Sequence, residues 1–205
     1  MKIFGHPMST CTRKVLTTLA ETGAPYEFVL VDFAKGEHKQ EPFITRQPFG
    51  QVPALEDDDG FQLYESRAMC RYINEKVGGR LVPGDIHGRA RMEQWISIET
   101  SNFTGHAMKF IYHHTFQRAQ EPAVLEAAGA GLDKTLAVMD AHLASNEFFA
   151  GSTFSLADIS FMPYVEYLAP TPVKARIDAH PHVAAWWTRV SGRPSWQKAT
   201  GKAAS

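Results

Sequence analysis

Residues 48–66, P-F-G-Q-V-P-A-L-E-D-D-D-G-F-Q-L-Y-E-S, constrain this chain more than any other stretch. Val52-Pro53 leads into an apolar strand at Ala54-Leu55. Asp59-Gly60 is a hairpin turn signal, and a second strand follows around Leu63-Tyr64. Ser66 stands immediately before the helical pattern Ala68, Met69, Tyr72, Ile73, as a helix N-cap or first-turn residue. A proline opening a strand has no N–H to give to the ladder, and the Val52–Pro53 bond is a candidate for the cis form. That form turns the N–H and C=O of Val52 outward, ready to pair with an extended peptide-like ligand. A helix starting at Ser66 offers backbone N–H groups and the positive end of a dipole, which suit a carboxylate. Glu65, next to it, suits an ammonium. The ligand these features imply is a small zwitterionic peptide.

The rest of the chain places this stretch in a larger plan. Residues 2–5 read as a strand, His6-Pro7-Met8-Ser9 as a loop, and residues 10–22 as a helix with Cys11, Val15 and Leu19 on one stripe beside Leu16. Gly23 ends that helix, with Pro25 just beyond. Residues 26–31 read as a second strand, apolar enough to lie centrally in a sheet. A polar stretch with a short helical piece near residues 42–46 then leads to the strand–strand–helix segment, which ends near Gly79. A βαβ unit followed by ββα is the thioredoxin-like arrangement. Residues 80–88, with Pro83, Gly84 and Gly88, read as a linker, giving domains at 1–79 and 89–205. From residue 89 on the pattern is helical: 90–115, 122–144, a helix opened by Ser155 and Asp158 at capping-box spacing and interrupted by Pro163, 181–191, and a short helix near 194–198. A tail of Ala, Ser and Lys is expected to fray.

Composition excludes several functions. A chain of 205 residues allows one domain or two, slightly favouring two, and 44% apolar with 21% charged residues suits a globular core. A formal net charge of -1 gives no electrostatic reason to bind nucleic acid. No run approaches the ~20 apolar residues needed to span a membrane, and M-K-I-F-G-H-P holds no apolar signal-peptide region. Two cysteines, Cys11 and Cys70, make no disulfide framework and fit a reducing cytoplasm.

Three separated pieces, G-H-P-M-S-T-C-T-R-K-V (5–15), G-E-H-K-Q-E-P-F (36–43) and P-F-G-Q-V-P-A-L with L-Y-E-S-R-A (48–68), resemble the cytosolic glutathione transferases, and among them the serine-type phi class. F-S-L-A-D-I and H-P-H-V-A-A-W-W resemble the same class. The resemblance implies a thioredoxin-like α/β domain followed by an all-α domain, usually paired as a homodimer. It also implies conjugation of reduced glutathione to electrophiles. By motif position the catalytic serine falls on Ser9. The glutathione-binding positions fall on His38 and Lys39 for the glycine carboxylate, on Gln51, Val52 and Pro53 for the peptide backbone, and on Glu65 and Ser66 for the γ-glutamyl end.

The chemistry is within reach of one hydroxyl. Lowering a thiol from its reference pKa of about 8.5 by about two units takes about 2.7 kcal/mol. A hydrogen bond to a charged group supplies about 1.5 to 3 kcal/mol, and a helix N-terminus about 0.3 to 1 more. Ser9 offers both without a metal or organic cofactor, so glutathione enters as co-substrate. Taken alone, Ser9 is a plain N-cap worth ~1 kcal/mol. A competing reading gives Cys11, two residues into the helix, to glutathione-dependent thiol exchange or peroxide reduction; its place on the Val15 stripe argues that it faces the core. A third reading is a non-catalytic ligand-binding module. The electrophile pocket is expected between the domains with an apolar wall, its candidates being Met8, Phe33, Phe103, Met108, Ile111, Tyr112 and Phe116. Phe49, aromatic beside a glycine, is a candidate dimer anchor. His106, His113 and His114 lack the i, i+4 pairing of a helical zinc site and read as structural.

Overall fold

The computed structural model describes residues 1–202, so the tail expected to fray at 203–205 lies outside the described residues. Four short strands, β1 (Lys2–Gly5), β2 (Glu27–Leu30), β3 (Ala54–Glu56) and β4 (Gln62–Tyr64), form one sheet in the order β2-β1-β3-β4. β1 and β2 run parallel, with Gly5 opposite Leu30, and the helix α1 (Thr10–Thr22) connects them. β3 runs antiparallel to β1 with Ala54 opposite Phe4, and β4 antiparallel to β3 with Tyr64 opposite Ala54. The hairpin turns at Gly60, whose φ of 86° suits a glycine. The βαβ and ββα reading holds, but β2 is an edge strand and not a central one. Leu30 is 55% exposed there, Glu27 is exposed too, and Phe28 and Val29 between them are only half-buried. The apolar run at 26–31 comes from Val31, buried just past the strand end, where it packs with Phe43 and Ala54.

The helices of this unit are α1, α2 (Phe43–Arg46) and α3 (Ser66–Lys76). α1 packs against α3, burying Val15, Leu19, Met69 and Ile73 to within 1% of full exclusion from solvent. Gly23 closes α1 in the left-handed region, at φ 69°. The short helix α10 (Pro194–Ala199) also packs on α1, burying Trp196 completely, while Ser195 Oγ donates to the Glu21 carboxylate. Among the described residues one compact unit therefore holds 1–81 and 194–202, whereas the sequence reading gave all of 89–205 to the helical domain. Six residues carry too little pattern to say which body they pack against.

The second unit, Val82–Arg193, is helical: α4 (Ile86–Ile98), α5 (Thr104–Phe110), α6 (Pro122–Leu143), α7 (Leu156–Leu168), α8 (Lys174–Asp178) and α9 (Pro181–Ser191). α4 starts inside the stretch read as linker because the Asp85 carboxylate caps it, accepting the Gly88 N–H at 2.8 Å. The segment read as one helix over 90–115 is continuous but contains two π-helical turns, Glu99–Phe103 and Ile111–Thr115, on either side of α5. In the first, the Thr100 and Ser101 hydroxyls donate back to the carbonyls of Ile96 and Ser97. The capping box at Ser155 and Asp158 is present, and α7 runs on through Pro163. Trp95, Phe149, Phe161 and Trp186 form the aromatic centre of this unit, with ring centroids 4.6–6.3 Å apart along the cluster. Among the described residues no helix is long and apolar enough to cross a membrane.

Candidate functional site

The strand directions gather four loops at one edge of the sheet. β1 and β2 end there, β3 begins there, and β4, antiparallel to β3, also ends there. The carboxyl ends of parallel strands are where open α/β sheets offer their loops to ligands. Ser9 lies on the loop after β1, His38 and Lys39 on the stretch after β2, Gln51, Val52 and Pro53 ahead of β3, and Glu65 and Ser66 after β4. The topology thus brings the residues expected to bind the peptide to the same edge. The N-termini of α1 and α3 lie there too, so two positive dipole ends serve one place.

Ser9 is the N-cap of α1, in extended conformation, and its Oγ accepts the Thr12 N–H at 3.2 Å. Its own N–H donates to the His6 carbonyl at 2.9 Å, closing a turn over Pro7 and Met8. Because the cap uses Oγ as an acceptor, the O–H remains to donate, and the oxygen sits in the positive field of the helix start. Thr12, which a cap needs only as an N–H, also leans its side chain against Gly5: a Cβ there would lie 2.7 Å from Thr12 Cγ2.

A run of ring contacts leads from this turn to the 3-10 turn Glu37–Lys39. The His6 imidazole stacks on Phe33 with centroids 4.4 Å apart, and Phe33 meets His38 edge-on at 4.9 Å. His6 Nδ1 accepts the Met8 N–H at 3.2 Å, and burial pulls the pKa of His6 below its usual value against the raising effect of Asp32. His38 Nδ1 is buried and has no hydrogen-bond partner among the described residues. Lys39 Nζ donates to the Phe49 carbonyl at 3.0 Å, tying the 3-10 turn to the Phe49 loop. Gly50 follows at φ 60°; a Cβ there would lie 2.6 Å from Lys39 Cδ and 2.7 Å from the His38 carbonyl.

The approach to β3 is fixed by Gln47, a buried side chain whose Oε1 accepts the Gln51 N–H at 3.1 Å. The Val52–Pro53 peptide bond is cis. Among the described residues Val52 has no backbone partner outside the strand ladders. Glu65 holds the positive-φ half of backbone space at φ 71° and ψ 103°, unusual for a residue with a side chain, while Ser66 opens α3 with 3% of its surface exposed. Sequence reasoning missed Gln47, the His6–Phe33–His38 contacts and the Glu65 backbone. A strand-to-helix junction as short as L-Y-E-S leaves one residue to make the turn, which was the available signal for the last.

Of the electrophile candidates on the first unit, Met8 and Phe33 are 42% and 41% exposed. On the helical unit Tyr112 and Phe116 are half-buried, their rings 6.3 Å apart, with Phe116 also 5.5 Å from Tyr167 and the Arg118 guanidinium 5.5 Å from Tyr112. Phe103 and Ile111 are fully buried and belong to that unit's core, so they present no surface to a ligand. Cys11 is half-buried, less enclosed than its place on the Val15 stripe suggested. Cys70 is buried, and desolvation pushes its thiol up to about 11. His106 packs on Gly131, where a Cβ would lie 2.3 Å from the ring, and His113 Nδ1 accepts the Gln120 N–H at 3.2 Å. Among the described residues no group of three or more His, Cys, Asp or Glu is placed to hold a metal ion.

Two family models match: "Glutathione S-transferase, N-terminal domain" over residues 1–75 and "Glutathione S-transferase, C-terminal domain" over residues 102–194. The chain is 39% identical to glutathione S-transferase F7 of Arabidopsis thaliana, covering 97% of this chain and 98% of that one. Among solved structures, glutathione transferase F7 from Populus trichocarpa superposes with a TM-score of 0.92 at 36% identity, covering 98% of both chains. Glutathione S-transferase I from maize, determined with an atrazine glutathione conjugate, gives 0.90 at 34%, covering 98% of this chain and 96% of that one. With both domains matched and F-series plant enzymes alike along nearly its whole length, the chain belongs to the glutathione S-transferase family, on its phi-class branch.

Proposed function

We propose that this protein conjugates reduced glutathione to electrophilic small molecules, and that Ser9 donates its hydroxyl hydrogen to the glutathione thiolate. The observation that carries the reading is the Ser9 cap: Oγ accepts from Thr12 N–H, leaving the O–H to donate from a helix N-terminus. The tripeptide lies along the sheet edge in this reading. Val52 pairs with its backbone, His38 and Lys39 meet the glycine carboxylate, Gln51 and Pro53 shape the approach, and Glu65 and Ser66 take the γ-glutamyl ammonium and carboxylate. The buried, unpartnered Nδ1 of His38 is consistent with a group waiting for a ligand atom. Met8 and Phe33, exposed and apolar near Ser9 in the chain fold, are proposed to meet the apolar part of the electrophile.

No resident cofactor enters this scheme, since the stabilisation needed is that of one charge-assisted hydrogen bond and one helix end. A reducing, cytoplasmic setting is proposed from the two unpaired thiols. A homodimer is proposed from Phe49, 63% exposed and held in place through Lys39, the kind of aromatic that anchors an interface. Phe49→Ala should then shift the elution volume towards that of a single chain.

The functional reading is tested by conjugation rates with a panel of electrophiles. Ser9→Ala is expected to lower kcat/KM by about ten- to a hundredfold, the value of a hydrogen bond to a charged group. Cys11→Ser is expected to leave it near the wild-type value. The reverse pattern would assign the chemistry to Cys11.

A further inference from the structure

We propose that Arg13 is a positioning residue that holds the Pro7–Met8–Ser9 loop in the geometry from which Ser9 donates, an inference that rests on the role given to Ser9 above. Arg13 contacts each of the three loop residues in turn. Its Nε donates to the Pro7 carbonyl at 2.9 Å, its Nη2 lies 3.9 Å from Met8 Sδ, and its backbone N–H donates to the Ser9 carbonyl at 3.0 Å. The residue is 8% exposed, whereas Pro7 and Met8 stand at the surface. The loop is otherwise closed by the turn bond from Ser9 N–H to the His6 carbonyl and the side-chain bond from Met8 N–H to His6 Nδ1.

The spacing makes this arrangement possible. Arg13 lies four residues after Ser9, one turn along the helix that Ser9 caps, so its side chain points back along the N-terminal face. A guanidinium presents donors in a planar fork and reaches the carbonyl and the thioether together; an ammonium is a point donor and serves one of them. The consequence for chemistry is geometric. The Ser9 oxygen is already committed to Thr12 N–H, so its O–H has a limited arc in which to meet a thiolate. A displacement of the loop by about 1 Å takes the donor out of that arc, and errors of that size can cost up to about a hundredfold in rate.

The test compares wild type, Ser9→Ala, Arg13→Lys, Arg13→Met and the Ser9→Ala/Arg13→Met double variant. The readouts are the pH profile of kcat, which reports the ionisation of bound thiol, and thermal unfolding for the folded fraction. Arg13→Met is expected to move the acid limb of the profile to higher pH and lower kcat below neutrality by about tenfold at saturating glutathione. Arg13→Lys is expected to share most of that loss, and the double variant to fall no further than Ser9→Ala alone. An unmoved acid limb in Arg13→Lys, which keeps the charge and the fold, or losses that multiply in the double variant, would overturn the role of Arg13. Should Ser9→Ala itself leave the profile unchanged, the reading of Ser9 fails and the positioning role with it. A collapse in Ser9→Ala beside a fixed profile in both Arg13 variants removes the positioning role alone.

Discussion

The indole Nε1–H of Trp186 donates to Asp158 Oδ1 at 2.9 Å, joining α9 to the N-terminus of α7 through a carboxylate with no exposed surface. The same carboxylate accepts the N–H of Phe149 at 3.1 Å and both the N–H and the hydroxyl of Ser155 at 2.9 and 3.0 Å. Asp158→Ala leaves these donors buried and unpaired, and the expected loss is about 3 to 5 kcal/mol, read from urea unfolding. Burial pushes the Asp158 carboxyl up to about 6, against the lowering effect of its donors. Its folded pKa lies above the unfolded value, so between about pH 4 and 6 the native state binds the extra proton and this group's contribution falls as pH rises. The stability gap between wild type and Asp158→Asn should therefore narrow across that window, by about 2 to 3 kcal/mol.

Gly50 marks where the turn holding His38 and Lys39 meets the Phe49 loop. A Cβ at φ 60° would press on Lys39 Cδ and on the His38 carbonyl. Gly50→Ala is expected to raise KM for glutathione more than it lowers kcat, and to cost about 1 to 2 kcal/mol of stability. Steady-state kinetics with glutathione as the varied substrate separate the two; an unchanged KM would mean that the turn does not position Lys39.

Glu65 stores strain at the start of α3. A non-glycine residue at φ 71° and ψ 103° costs about 1 to 3 kcal/mol, of which a glycine recovers the greater part. Glu65→Gly should raise the melting temperature while raising KM for glutathione, because the relieved backbone no longer carries the carboxylate proposed to meet the γ-glutamyl ammonium. A variant that binds glutathione as wild type does would remove Glu65 from the site.

Asp57 receives Tyr72 OH and Lys76 Nζ, fastening the β3–β4 hairpin to α3. Hydrogen bonding from Lys76 and then Tyr72 holds its carboxyl down at about 2, and the stability this adds is present above about pH 4 and lost as pH falls towards 2. Lys76 is partly exposed, so screening reduces the value of the pair at physiological salt. Lys76→Met should lower stability at pH 7, by less in high salt, and shift the midpoint of acid unfolding to higher pH, the two proteins converging as pH falls towards 2; urea unfolding and far-ultraviolet circular dichroism read these.

Much of the chain's element order was legible because its signals are local. Gly23 after a periodic run, Asp59-Gly60 between two strand-like stretches and Ser155 three residues before Asp158 each act through backbone geometry within a few residues. The α1 limits and the capping box follow from them. The π-helical turns at Glu99–Phe103 and Ile111–Thr115 were not legible, since a side chain that shifts a helix by one residue leaves the apolar period almost unchanged.

By itself the amino-acid sequence determined the order of elements, the helix starts and the residue types at the sheet edge, because capping, turn formation and apolar periodicity are short-range. Only the tertiary structure decided that β2 lies at the edge, that α10 returns to α1, that Phe103 and Ile111 are core, and that Arg13 lies beneath the Ser9 loop. Those outcomes depend on which apolar surfaces exclude water together, a sum over residues far apart in the chain that no local pattern contains.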